Sequence, residues 1–429
     1  MYQIFRAALV ILAIAIQPPV ALAGTADTAV LTVQQAVAQA LEGNPNLAQM
    51  KARAEAAAAI PDQAGALPDP TISFNALNLP VDTFDIAQEP MTQMQFGISQ
   101  ALPFPGKLAL KEQAARHEAE AAAKSVEETR LTLIRDVKAT WWRIFYLDRA
   151  IEIVRRNQDL LREFVQIAQT KYKVGEGLQQ DVLLAQVELS QLLDREIQLK
   201  AARRTQVARL AALMDRPVEQ DVQLPAKVEI DLPPPPDETT LHGIADESRP
   251  LLARLERELA AADSRVELAK KDLMPDFGVG AAYGIRSGSN ADGSNRPDFL
   301  SLRLNMSVPL YAARKQQRAV DQRTSERLGR RFALEDARNQ VRQSIATILA
   351  EYRQAREQAR LYERAIIPQA RQTVASMLSG YQVNKVDFLN LVRAQITLYN
   401  HETRYWQAIS EARQALARLA AAVGKEIQP

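Results

Sequence analysis

The chain has 429 residues, 47% of them hydrophobic and 24% charged, with 53 basic against 51 acidic side chains and a net charge of +2. That composition is globular rather than disordered, and the even balance gives no electrostatic footprint for a nucleic-acid partner. With no cysteine, the sequence excludes disulfides, thiolate metal sites and a cysteine nucleophile, and an N-terminal lipid anchor built on cysteine is not expected.

Taken in chain order, Arg6, the apolar run 7–16 and the stretch Ala21-Leu22-Ala23 before Gly24 predict a cleaved export signal over 1–23. The run is about half of the roughly 20 residues that a spanning helix needs. No later run reaches spanning length, so a membrane crossing would have to be made by a β-barrel. An Ala-rich helix over about 46–66 follows and stops before Pro68, because proline removes a backbone donor and clashes with the preceding turn. Ile72, Phe74 and Ala76 alternate until the parity slips at Leu77 and Leu79, and Met94, Phe96 and Ile98 alternate against Gln95, Gly97 and Ser99, which predicts two strands. Residues 108–173 contain neither Pro nor Gly, and as one helix those 66 residues would extend roughly 100 Å. A turn near Gly175 leads back into another long helix. Residues 216–237 carry Pro217, Pro225 and the run Pro233 to Pro236, which favours an extended connector lying against the helices.

The layout then recurs. A helix over 251–273 stops before Pro275. Phe277, Val279, Ala281, Tyr283 and Ile285 alternate with Gly278, Gly280, Ala282, Gly284 and Arg286, and Leu300, Leu302, Leu304, Met306 and Val308 alternate with Ser301, Arg303, Asn305 and Ser307. Each run has the roughly 9–11 residues of a tilted transmembrane strand. The intervening loop, 287–298, is rich in Gly, Ser, Asn and Asp. In the long helices that follow, Val341, Ile345, Ile348, Tyr352, Ala355, Ala359, Tyr362 and Ile366 step by four and three, as do Leu389, Val392, Ile396, Tyr399, Thr403 and Trp406. Ile134, Val137, Trp141 and Ile144 begin the same pattern in the first half. A sustained seven-residue repeat implies coiled-coil packing.

Local matches between the halves are collinear at a spacing of a little over 200 residues. Asn44-Pro45-Asn46-Leu47 answers Arg249-Pro250-Leu251-Leu252, Leu67-Pro68-Asp69-Pro70 answers Met274-Pro275-Asp276-Phe277, and Tyr172-Lys173-Val174-Gly175 answers Tyr381-Gln382-Val383-Asn384. The chain is therefore an internal repeat. It divides into a signal peptide over 1–23, a first repeat over 24–215, a Pro-rich equatorial connector over 216–237, and a second repeat over 238–429. Four strands in lipid would leave edge amides and carbonyls unsatisfied, so several chains must close one barrel. Three chains would supply about twelve strands, within the known range of barrels.

The double repeat, strand pairs, long helices and paired tyrosine motifs resemble the TolC-type outer-membrane efflux proteins over nearly all of the chain beyond the signal. The strongest local motif is Tyr172-Lys173-Val174-Gly175 followed by Leu178, Asp181-Val182 and Ala185-Gln186. The resemblance implies a mainly α fold with a small β part: a long coiled-coil α-helical barrel below a shared trimeric twelve-stranded transmembrane β-barrel. It implies a non-enzymatic channel in the outer membrane of a Gram-negative bacterium, surrounded by outer-membrane lipid and reaching into the periplasm. Its partners would be two sister copies, a periplasmic adaptor and an inner-membrane pump of the resistance-nodulation-division class. The stretch 100–107, Gln-Ala-Leu-Pro-Phe-Pro-Gly-Lys, resembles members that serve heavy-metal pumps, which implies metal cations as cargo.

The same resemblance places the two helix–turn–helix tips against the adaptor. Tyr172, Val174, Gly175, Glu176 and Leu178 form one tip, and Tyr381, Val383, Asn384, Lys385 and Val386 the other. Gly adopts the left-handed conformation that ends helices without steric cost and Asn is the usual second choice, which makes Gly175 and Asn384 counterparts. Exposed apolar side chains there suit a docking surface, or else pack neighbouring tips together. Asp181 is either a carboxylate of a cation-favouring ring at the channel entrance or a partner of its own helix N-terminus. The second repeat departs from this pattern, with Asn390 opposite Asp181 and Arg393 one turn on. Gly177 and Val386 stand where some members hold a basic tether.

No cofactor, metal or catalytic residue is expected. His117, His242 and His401 are far apart and lack ligand spacing, and Met91 and Met94 read as loop or barrel-interface residues. There is no phosphate-cradling glycine loop or nucleophile elbow. The competing reading is a periplasmic adaptor, a coiled-coil binding protein of an efflux or secretion system, which would carry lipoyl-like β segments instead of membrane-length strand pairs.

Overall fold

A computed structural model describes residues 30–426 of the chain. The export signal expected over 1–23 lies outside them. The first half runs α1 (Val33–Gly43), α2 (Pro45–Ala58), α3 (Ile60–Gly65), β1 (Thr71–Leu77), β2 (Gln93–Leu102), α4 (Lys107–Lys173) and α5 (Gln179–Leu213). The second runs α6 (Glu238–Ser248), α7 (Pro250–Lys271), β3 (Asp276–Ile285), β4 (Phe299–Ser307), α8 (Gln316–Leu361), a π-helical turn (Tyr362–Ile366), α9 (Ile367–Gln382) and α10 (Phe388–Val423). The mainly helical repeat with four strands is the architecture that the sequence predicts.

Local signals explain most boundaries. Thr32 and Gln35 form a capping box at the start of α1. Asn44 caps α2 ahead of Pro45, with the Leu47 amide donating to its Oδ1 at 3.1 Å. The single helix expected over 46–66 is instead two, because Pro61 cannot supply an amide to the preceding turn and the chain breaks at Ala59. Its counterpart α7 has no internal proline and runs unbroken for 22 residues.

The long helix α4 has 67 residues, roughly 100 Å. Together α8, the π turn and α9 match it in length. The π turn sits directly before Pro368, whose ring crowds the carbonyl of Arg364 and forces an extra residue into the turn. The seam shifts accordingly. Val341, Ile345, Tyr352, Ala355 and Ala359 are buried as the heptad predicts, but below the turn Ile367 is buried in place of Ile366. Leu389, expected in the α10 seam, is exposed, while Leu391 and Val392 fill that layer.

The core of the first half is aromatic. Trp141 stacks on Phe145 at 5.6 Å, Trp142 meets both edge-on, and Trp406 of α10 closes the group against Phe145. The Trp141 indole donates to the Leu31 carbonyl at 2.9 Å, which ties the segment before α1 to mid-α4. Residues 216–237 form neither helix nor strand. They lie on the helices: Val222 joins the aromatic core, and Tyr352 and Arg356 donate to the carbonyls of Pro233 and Leu232.

Glu196 couples α4 to α5, accepting from Arg155 and Gln158 of α4 and from Lys200 one turn on. Those donors hold its carboxyl at about 2, below the ordinary 4.5. A carboxyl lowered in this way contributes stability that is present above pH 4.5 and is lost as pH falls towards 2. Glu196→Gln is therefore expected to cost about 2 kcal/mol at neutral pH and nothing near pH 2, read as thermal unfolding at the two pH values. An equal cost at both would remove the ionised carboxylate as the cause.

The four strands make one antiparallel sheet in the order β1-β2-β3-β4, so the hairpins of the two halves join at β2–β3. The register lines up Ile72, Ile98, Ala281 and Leu302 in one row and Phe74, Phe96, Tyr283 and Leu300 in the next, all on one face. The other face carries Ser73, Gly97, Ala282 and Ser301, then Thr71, Ser99, Gly280 and Arg303. In the single chain the apolar face is open, with Ile72 81% and Leu302 79% exposed.

Candidate functional site

At the far end of the helices two hairpin tips lie side by side. The α4 tip closes with the amides of Glu176 and Gly177 donating to the Lys171 carbonyl at 2.9 and 3.1 Å, and Gly175 takes φ +78°. The α9 tip closes in the same way, with Lys385 donating to the Gly380 carbonyl at 2.8 Å and Asn384 at φ +59°. This wrapped ending satisfies the last carbonyls of each helix. The chain then re-enters α5 and α10, where the amides of Asp181 and Asn390 donate back to the carbonyls of Leu178 and Asp387.

The structure separates residues that the repeat makes equivalent. Tyr172 is 48% exposed, whereas Tyr381 is 6% exposed and packs on Phe388 at 5.2 Å. Tyr381 is thus a core residue between the hairpins and not part of an outer surface. Val174, Gly175, Glu176, Leu178, Val383, Asn384 and Lys385 are exposed, and Val386 is half-buried over Gly380, where only glycine leaves room for it. Lys171, which sequence reasoning did not single out, joins the tips. Its Nζ donates to the Tyr381 carbonyl at 2.9 Å and to Asn384 Oδ1, and lies 4.6 Å from the centre of the Tyr381 ring. The signal for it was the repeat itself: a lysine in one half stands where the other has Gly380.

Asp181 is half-buried at the start of α5. Burial pushes its carboxyl above the ordinary range, against a partial offset from the Leu178 backbone, and the charge of Asp387 pushes it further. Burial likewise raises the Tyr381 phenol, with Asp181 adding to it. The second carboxylate at this end is therefore Asp387, at the start of α10, and not the position of Asn390. Asn390 and Arg393 are both exposed on α10. Above the tips, Gln395 donates to Asn157 at 2.6 Å inside the core, and buried Glu402 accepts from Arg156 of α4 and Arg371 of α9. These contacts make the two hairpins one packed unit. Among the described residues no group of His, Cys, Asp and Glu is arranged to hold a metal, and no helix is long and apolar enough to cross a membrane.

A two-faced sheet at one end and paired helical tips at the other define a class: the chain belongs to the outer membrane efflux protein family, whose sequence model matches residues 36–216 and again 241–425. It is thus of a family of transport proteins and not an enzyme. Among individual relatives, the alkaline protease secretion protein AprF of Pseudomonas aeruginosa is 26% identical over 281 residues, 63% of this chain. That match spans 56% of the relative, a little over half its length. The outer-membrane channel OprN superposes with a TM-score of 0.77 at 20% identity, over 91% of this chain and 89% of the other. The outer membrane protein VceC of Vibrio cholerae gives 0.76 at 17% identity, over 92% and 97%. At these identities the structural likeness establishes the fold.

Proposed function

We propose that three copies close their sheets into a twelve-stranded barrel in the outer membrane of a Gram-negative bacterium and their helices into a periplasmic tube. The resulting channel is the passive outer component of a tripartite efflux system. The observation that carries this reading is the sheet: one face almost entirely apolar and open, the other mostly of small or polar residues, and both outer edges, β1 and β4, unpaired within the chain. Lipid covers such a face and only a neighbouring strand satisfies such an edge. On this reading 1–23 is removed on export, 24–215 and 238–429 are the two repeats, and 216–237 girdles the helices between them. The tips, exposing Tyr172, Val174, Leu178 and Val383, meet a periplasmic adaptor coupled to an inner-membrane pump of the resistance-nodulation-division class.

Asp181 and Asp387 face the entrance and favour cations there. Together with the resemblance of 100–107 to metal-exporting members, this supports metal cations as cargo. A second reading, an exported polypeptide, is favoured by the similarity to AprF, a protease secretion protein. Purified protein in planar bilayers is expected to give stepwise conductance, and Asp181→Ala to weaken its cation preference. Because the Asp181 carboxyl is raised, acidifying the entrance side should weaken that preference in the wild type at a higher pH than an ordinary aspartate would. Steps of unchanged selectivity in Asp181→Ala would remove this residue from the entrance.

A further inference from the structure

The polar face of the sheet is almost free of charge. In the four strands only Asp276 and Arg303 are ionisable acids or bases of full charge at neutral pH. Asp276 stands at the helix end of β3 and is already engaged, with Lys107 Nζ at 2.9 Å and the Phe104 amide at 2.7 Å. Arg303 is different. It sits in the middle of β4, exposed, opposite Gly280. Its row continues through Ser99 to Thr71, and its neighbours on the same face of β4 are Ser301 and Asn305. Across from it, Gly278, Gly280 and Ala282 leave a floor without bulk or countercharge. The nearest carboxylate along that face, Asp276, is four residues from Gly280 in β3, about 13 Å away. At the opposite end of the sheet, Asp298 is occupied by the Tyr283 hydroxyl at 2.6 Å and the Arg286 amide at 2.9 Å.

We propose that Arg303, repeated by the three copies, forms a basic collar inside the barrel that concentrates small anions at the outer end of the channel, so that cations admitted at the Asp181 end leave past it accompanied by these counter-ions. The inference rests on the trimeric barrel proposed above. A twelve-stranded barrel with tilted strands has a backbone radius of about 12 Å. An extended arginine reaches roughly 6–7 Å from its Cα, which brings each guanidinium to about 5 Å from the axis. The Debye length is about 10 Å at 0.1 M salt, so the three fields overlap across the whole lumen, whereas at 1 M it is about 3 Å and the axis is screened. A narrow, low-dielectric wall of one charge sign concentrates counter-ions. The ligand class is therefore small anions, chloride and carboxylate- or phosphate-bearing solutes alike. Within the protomer Arg303 is exposed, so its replacement opens no cavity in the protomer's core.

The test is the reversal potential of single channels under a potassium chloride gradient, in wild type, Arg303→Lys, Arg303→Ala and Arg303→Glu. The entrance carboxylates are the same in all four, so differences among them report the barrel. The expected result is a several-fold fall in the chloride-to-potassium permeability ratio in Arg303→Ala, a further fall in Arg303→Glu, and retention in Arg303→Lys. All differences should collapse as the salt is raised to about 1 M. Equal reversal potentials at low salt in channels of normal conductance would overturn the collar alone. Absence of conductance from the wild type would overturn the barrel reading, and the collar with it.

Discussion

An arginine placed at Leu302 is expected to eliminate the assembled protein from the outer membrane. Leu302 lies at the centre of the open apolar face, in register with Ala281, and is 79% exposed in the single chain. A cation on the lipid face of a barrel near the bilayer midplane costs about 2–4 kcal/mol. Assembly multiplies that by the number of copies, roughly 6–12 kcal/mol for three, comparable with the whole stability of a domain. The measurement is the heat-modifiable, trimer-sized band of an outer-membrane fraction, which Leu302→Arg should lose. Ser301→Arg, one residue away and on the other face, should keep it, because that side chain enters water. A normal trimer from Leu302→Arg, or equal loss from both, would mean that the apolar face does not meet lipid.

The second large effect belongs to the helical body. Trp141→Ala empties the centre of the cluster formed with Trp142 and Phe145, and deletes the donor to the Leu31 carbonyl. Large-to-small changes of a buried aromatic cost about 3–5 kcal/mol. Trp141→Phe keeps most of the apolar area but leaves a buried carbonyl without its donor, at about 1–3 kcal/mol. Thermal unfolding followed by near-ultraviolet circular dichroism should therefore rank wild type, Trp141→Phe and Trp141→Ala in that order. The segment at Leu31 should become susceptible to protease before the helices do. An unchanged melting curve for Trp141→Ala would contradict the packing described.

Much of this architecture is legible without coordinates because the cues are strong and local. Residues 108–173 lack both helix breakers, and α4 covers them all. Period-2 runs in β3 and β4 have one reading, and Pro68 and Pro275 mark where helix gives way to strand. What escapes is tertiary. Pro61 lies fifteen residues into the helix expected over 46–66, and the Ala-rich run on both sides of it hides that one helix ends and another begins there. The π turn before Pro368 adds a residue to the seam, so that a heptad counted through it lands on Ile366 when the core takes Ile367. Short α1 and α6 have too few turns for periodicity to stand out. At the tips, repeat symmetry predicts equal roles for Tyr172 and Tyr381, but a pair of hairpins packed side by side has an inside and an outside, and one tyrosine falls on each. The repeat sets Lys171 against Gly380, but its contacts with the second tip, and the closeness of Asp387 to Asp181, show only when both tips are seen together.

The π turn has a consequence for symmetry. Two identical repeats in each of three copies would build a tube with six equivalent staves. Among the described residues only the second repeat carries a π turn, at Tyr362–Ile366, so its buried stripe shifts below that level whereas α4 runs through without such a turn. In the proposed trimer, the tube from that level to the tips would then have two alternating kinds of stave, and an adaptor gripping it there would meet three seats of one shape and three of another.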